Sequence, residues 1–67
     1  MRISIRNLKP GHLILVRNID GDHELRTVAG VHNERDGTIT VDTEFDGQHQ
    51  KLNWSAWDDV ELVCKGE

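Results

Sequence analysis

Thr38-Ile39-Thr40-Val41-Asp42-Thr43-Glu44-Phe45 lies between two Asp-Gly pairs, Asp36-Gly37 and Asp46-Gly47. Apolar Ile39, Val41 and Phe45 alternate with polar Thr38, Thr40, Asp42 and Glu44, the period-2 pattern of a half-buried strand. Glycine accepts positive φ without steric cost, so an Asp-Gly pair at each end reverses the chain twice. The centre of the sequence therefore reads as a three-stranded antiparallel meander with one apolar and one polar face.

Turn chemistry sets the register on both sides. A two-residue turn at Asp46-Gly47 pairs Phe45 with Gln48, Glu44 with His49, Asp42 with Lys51, Val41 with Leu52 and Ile39 with Trp54. Opposite charges and apolar groups then match across the strands, each pair contributing about 0.2–1 kcal/mol. A one-residue slip loses both kinds of match. At the other end a two-residue turn would oppose Val31 to Asp42. A three-residue turn with Gly37 left-handed opposes Val31 to Val41 and Glu34 to Thr38 instead, and is preferred.

Outward from the meander, residues 25–33 form the preceding strand, with Gly30 marking a bend or bulge. Residues 18–24 read as a polar loop. The near-continuous apolar run of residues 12–17 reads as a strand buried on both sides. Lys9-Pro10-Gly11 is a turn, and residues 2–6 alternate as a short first strand. Past Trp54, residues 55–58 are too few for a helix and read as one helical turn capped by Ser55. Asp59–Cys64 closes the chain as a last strand. The expected core is Ile14, Val16, Val31, Ile39, Val41, Leu52, Trp54, Val60 and Leu62, with Phe45 also on the inward face.

Sixty-seven residues make one domain with one small core. Leu13–Val16 is the longest apolar run, far short of the roughly 20 residues that span a membrane. No secretion signal opens the sequence, and a single cysteine, Cys64, forbids an intramolecular disulfide, which together point to the cytoplasm. The formal charge of −4 counts against a nucleic-acid binder, which usually carries a basic stripe.

The Pro10-Gly11-x-x-Ile14-x-Val16 opening, the polar loop, the meander, the short turn and the closing strand together resemble a Src-homology-3-like small β-barrel. The opening is similar to the Gly-Asp-x-Val-x-Val start of Tudor-like and KOW-like barrels, with His12 where those usually carry Asp. The resemblance implies an all-β barrel of about five antiparallel strands with one short helical turn before the last. Two departures bear on function. The chain has no tyrosine and lacks the Ala-Leu-Tyr-Asp-Tyr segment of peptide-binding signalling domains. Its three aromatics, Phe45, Trp54 and Trp57, are too few and too scattered for a methyl-cation cage.

Catalytic chemistry is not expected. Ser4 and Ser55 have no local histidine and acid partners, and no Gly-rich phosphate loop occurs. His12, His23, His32, His49 and Cys64 lack the short spacings of a structural zinc site. Asp20, Asp22 and Glu24 around Gly21 fall short of a calcium loop. Neither metal nor cofactor is expected.

The expected function is that of a non-catalytic protein-binding module: a small adaptor, inhibitor or assembly subunit, suited to a bacterial or phage accessory role. Trp54 opposite Ile39 belongs to the core. Trp57 either plugs the end of the barrel or stands exposed as an anchor. In the second case its contact surface includes Asp58 and the loop residues Asp20 and Asp22. The alternative is a nucleic-acid module using Arg2, Arg6, Lys9 and Arg17 against phosphates. A third reading is self-association through edge strands.

Overall fold

The computed structural model describes residues 1–64. Six antiparallel strands form one sheet: β1 (Arg2–Ser4), β2 (Leu13–Arg17), β3 (His23–Asn33), β4 (Thr38–Phe45), β5 (Gln48–Ser55) and β6 (Asp59–Cys64), in the order β1-β6-β2-β3-β4-β5. The edges are β1 and β5, and no strand pairing joins them among the described residues. No helix among those residues is long and apolar enough to cross a membrane.

The meander has the register its turns dictate. Ile39 pairs with Trp54, Val41 with Leu52, Asp42 with Lys51, Glu44 with His49 and Phe45 with Gln48. Asp46 and Gly47 both take positive φ, +53° and +79°, as a two-residue primed turn requires. At the other end Val31 faces Val41, the Glu34 amide donates to the Thr38 carbonyl, and Gly37 sits at φ +87°. The register of β3 against β4 shifts between Val28 and Gly30, which is the bulge that Gly30 signals.

That bulge divides the longest strand. Residues 23–27 of β3 pair with β2, and residues 27–33 pair with β4, so β3 serves two halves of the sheet. A bulge bends its strand and raises the local twist. The connection from β5 to β6 shows how far the sheet must coil. Four strand spacings separate β5 from β6, about 19 Å in a flat sheet. Four residue steps from Ser55 to Asp59 span at most about 14 Å even when fully extended. The sheet therefore curls until β5 swings back toward β6.

Several expectations are corrected here. The first strand ends at Ser4, where the Ser4 Oγ accepts the Arg6 amide at 3.3 Å and starts a single 3-10 turn over Ile5–Asn7. A local side-chain bond of this kind competes with strand pairing. The one helical turn is thus here, after the first strand. Residues 55–58 make a tight turn instead, closed by the Asp58 amide on the Ser55 carbonyl at 3.0 Å. The polar loop of residues 18–24 is shorter than expected. Asn18 Oδ1 accepts the amides of Asp20 and Asp22, each at 3.0 Å, and β3 begins at His23.

The core holds Ile5, Leu8, Ile14, Val16, Val28, Ile39, Val41, Val60 and Leu62, with Val31, Leu52 and Trp54 half-buried against it. Ile5, Leu8 and Val28 join the expected set. Phe45 does not, being 48% exposed at the open end of the sheet, where the Arg26 guanidinium lies 5.9 Å from its ring centroid. Arg26 itself is buried. Its Nε donates to Thr43 Oγ1 at 2.6 Å, its Nη1 reaches Glu24 Oε1 at 3.1 Å, and Thr43 Oγ1 donates to the Gln50 carbonyl at 2.8 Å.

Candidate functional site

Trp57 is 79% exposed, so its indole stands in solvent and does not plug the end of the sheet. The tight turn fixes its backbone. The Trp57 amide donates to Ser55 Oγ at 3.3 Å, and the Ser55 amide donates to Asp58 Oδ2 at 3.0 Å. From the neighbouring 3-10 turn, the Ile5 amide donates to the Asp58 carbonyl at 2.9 Å, which ties the two turns together. The same tie sets Arg6 over the indole, its guanidinium carbon 4.7 Å from the ring centroid. That is within cation–π range, so the stacked arginine stiffens an otherwise solvent-facing side chain.

The β2–β3 turn lies at the same end of the sheet. β6 runs antiparallel to β2, with Leu15 opposite Glu61, so Asp59 falls where β2 ends. Residues 18–22 beyond β2 and Trp57 before β6 therefore lie at the same end of the sheet. At the tip of that turn Ile19 is fully exposed. Asp20 and Asp22 are exposed beside it, while Asp58 is committed to the Ser55 amide. Of the four residues the sequence singles out, Trp57 and the two turn aspartates present free side chains, and Asp58 holds the turn. Ile19 and Arg6 are additions. An isoleucine in an otherwise polar turn is a visible signal for the first. Nothing in the local sequence announces the second, because the Ile5–Asp58 contact is non-local.

Two of the four bases of the alternative patch share a groove. Arg2 and Arg17 line one groove with His23, Trp54 and Asp59. Arg6 is stacked on Trp57, and Lys9 belongs to the turn leading into β2, a strand length from Arg17. The Lys9 amide donates to His12 Nδ1 at 3.2 Å, which makes His12 part of that turn and leaves β2 to begin at Leu13.

On the outer face of the meander, His49 sits between two carboxylates, with Nδ1 3.2 Å from Asp42 Oδ1 and Nε2 3.4 Å from Glu44 Oε2. His32 lies 3.2 Å from Glu34 Oε1. No group of three potential metal ligands assembles among the described residues. The Asp36 carboxyl is held below the ordinary aspartate range by the Thr38 hydroxyl and then the Thr38 amide.

Compared with protein-family models, curated proteins and solved structures, the chain matches none. Its functional reading comes from its own geometry.

Proposed function

We propose that the chain is a non-catalytic protein-binding module, a small adaptor, inhibitor or assembly subunit, acting in the cytoplasm. The observation that carries this reading is a pair of exposed apolar side chains, Trp57 and Ile19, at one end of the sheet. Two large apolar side chains, 79% and 100% exposed, stand on two short turns whose backbones are fixed by local hydrogen bonds. Tryptophan and arginine are enriched at interface hot spots, and Arg6 on Trp57 supplies both together. A rigid turn loses little conformational freedom on docking, which favours affinity. Asp20 and Asp22 give this end of the sheet a polar rim.

The fold behind these side chains is read as a Src-homology-3-like small barrel with an added first strand. Four consecutive strands form a meander, and the closing strand returns beside the first of them in the order β6-β2-β3-β4-β5. The bulged β3 and the short β5–β6 link support a sheet coiled close to closure.

The test is quantitative capture of partners from native lysate with wild-type and Trp57→Ala baits. Capture by the variant is expected to fall at least tenfold while the dispersion of its amide spectrum stays that of a folded chain. Undiminished capture by a folded Trp57→Ala protein would overturn the reading.

A further inference from the structure

We propose that the free edge of β5 is a self-association surface. A second copy of this chain lays its own β5 antiparallel against it, about a two-fold axis that passes between the two Leu52 residues. This goes beyond the reading of the chain as a module for other proteins and uses neither Trp57 nor Ile19.

Of the two sheet edges, β1 has three residues and β5 has eight. Natural edges are blunted by proline, bulges or repeated charge. β5 has no proline, pairs with β4 in unbroken register, and carries Lys51 as its only lysine, arginine or acid. The two-residue turn makes Phe45 and Gln48 a mutually hydrogen-bonded pair, so bonding alternates from there along the β4–β5 ladder. Gln50, Leu52 and Trp54 then bond to β4, and the Thr43 hydroxyl on the Gln50 carbonyl agrees with this. His49, Lys51 and Asn53, all exposed, turn their N–H and C=O groups to the free edge. The edge closes at Ser55, whose amide is taken by Asp58 Oδ2 and whose carbonyl accepts the Asp58 amide.

Two side-chain groups on that edge select a second copy as the occupant. Thr38 Oγ1 donates to Asp36 Oδ1 at 2.6 Å, and Thr40 Oγ1 donates to Glu34 Oε2 at 2.9 Å. Ionised carboxylates only accept, so both hydroxyl protons are committed and both oxygens can only accept further bonds. Asn53 meets them with its donor, Nδ2, at 3.0 and 3.1 Å. Its Oδ1 is thereby turned away from β4, toward the free edge. Lys51, on the same face, makes no ion pair among the described residues, while the carboxylate of Asp42 opposite it holds His49 Nδ1 at 3.2 Å. With Leu52 on the axis, Lys51 of each copy faces Asn53 of the other. Each such pair exchanges two backbone bonds and sets an ammonium against an open Oδ1. On the inner face Leu52 meets Leu52 and Trp54 meets Gln50, so side chains that are half-buried in one copy gain cover. A shift of two residues one way opposes Lys51 to itself, and like charges directly opposite are destabilising. A shift of two the other way opposes Asn53 to itself and Lys51 to the closed Ser55, leaving a single bonded pair.

The test follows the full chain from micromolar to millimolar concentration by sedimentation equilibrium and amide exchange. The expected result is a monomer–dimer equilibrium, with exchange at Lys51 and Asn53 at least tenfold slower in the concentrated sample. In a mixture of labelled and unlabelled chains, an isotope-filtered Overhauser cross-peak is expected between the α-protons of Leu52 in the two copies, which form a non-hydrogen-bonded pair. Lys51→Glu sets a carboxylate against the Asn53 Oδ1, and Lys51→Pro removes an N–H that β4 does not use. Each is expected to raise the dimer dissociation constant at least tenfold while the amide dispersion stays that of a folded chain. If either variant fails to fold, the wild-type Leu52 cross-peak decides. A monomer throughout the range overturns the proposal, and so does a dimer without that cross-peak. Folded Lys51→Glu and Lys51→Pro proteins that dimerise as tightly as wild type overturn the register and the strand pairing respectively. Assemblies larger than a dimer overturn the two-fold arrangement. Trp57-dependent capture is read separately, so either reading can fail without the other.

Discussion

Arg26 is a charged group inside a 67-residue domain, 5% exposed, and its partners decide whether it is tolerated. Thr43, with no exposure, is the pivot, because its one hydroxyl accepts from Arg26 Nε and donates to the Gln50 carbonyl. Thr43→Val keeps the shape and removes both bonds. A buried donor left without a partner costs about 1–3 kcal/mol, so the denaturant midpoint should drop by that equivalent with an unchanged slope. Val41, also without exposure, makes no side-chain hydrogen bond, so Val41→Ala acts through lost packing alone. It should cost about 2–3 kcal/mol in the same denaturation experiment, and a midpoint that hardly moves would take Val41 out of the core. Asp36 makes a prediction about pH. Its folded carboxyl titrates below the ordinary aspartate value, so its contribution is present above that value and is lost as pH falls through the lowered one. Carbon-13 titration should place the Asp36 midpoint below that of an unperturbed aspartate. Thr38→Val, which deletes the largest of the effects that lower it, should move it upward.

At the scale of elements, the β4–β5 hairpin is the part most open to direct challenge. Gly47 lies at φ +79°, where a β-branched residue is strained, whereas Gln48 is ordinary strand. Gly47→Val should lower the melting temperature by several degrees more than Gln48→Val; equal shifts would contradict the primed turn. This hairpin is legible in the sequence because its signals are local: two Asp-Gly pairs, strict alternation and matched charges, all within residues 36–54. Gly30 discloses its bulge for the same reason. The short first strand is only half legible, since Ser4 capping the Ile5–Asn7 turn competes with pairing that looks natural for Ile3 and Ile5. Arg26 escapes a sequence reading in which residues 18–24 form a loop. Carrying β2–β3 pairing up to Arg17 and His23 sets Arg26 opposite Ile14 and so on the inner face. Of the candidate site, Trp57 can be named from the sequence but its exposure cannot. That depends on Ile5 meeting Asp58, at the far end of the chain.

For the whole molecule, everything proposed turns on where β6 goes. A turn as short as residues 56–58 would ordinarily make a hairpin, with β6 laid against β5. Here β6 instead inserts between β1 and β2. That single choice coils the sheet, leaves β5 with a free edge, and leaves Trp57 exposed at the end of the sheet where β2 also ends. It also explains why net charge is a poor guide. The chain is acidic overall, yet folding brings Arg2, from one end of the sequence, and Arg17 to one groove that Asp59 and Glu61 also line. The most direct measurement is the set of inter-strand backbone nuclear Overhauser effects made by β6 in the folded protein. The account predicts cross-peaks joining Glu61 to Leu15 and Val60 to Ile3, with none in a ladder between β6 and β5. A ladder of cross-peaks running from Asn53 to residues 60–62 would instead make β5 and β6 a hairpin, cover the free edge of β5, and contradict the account.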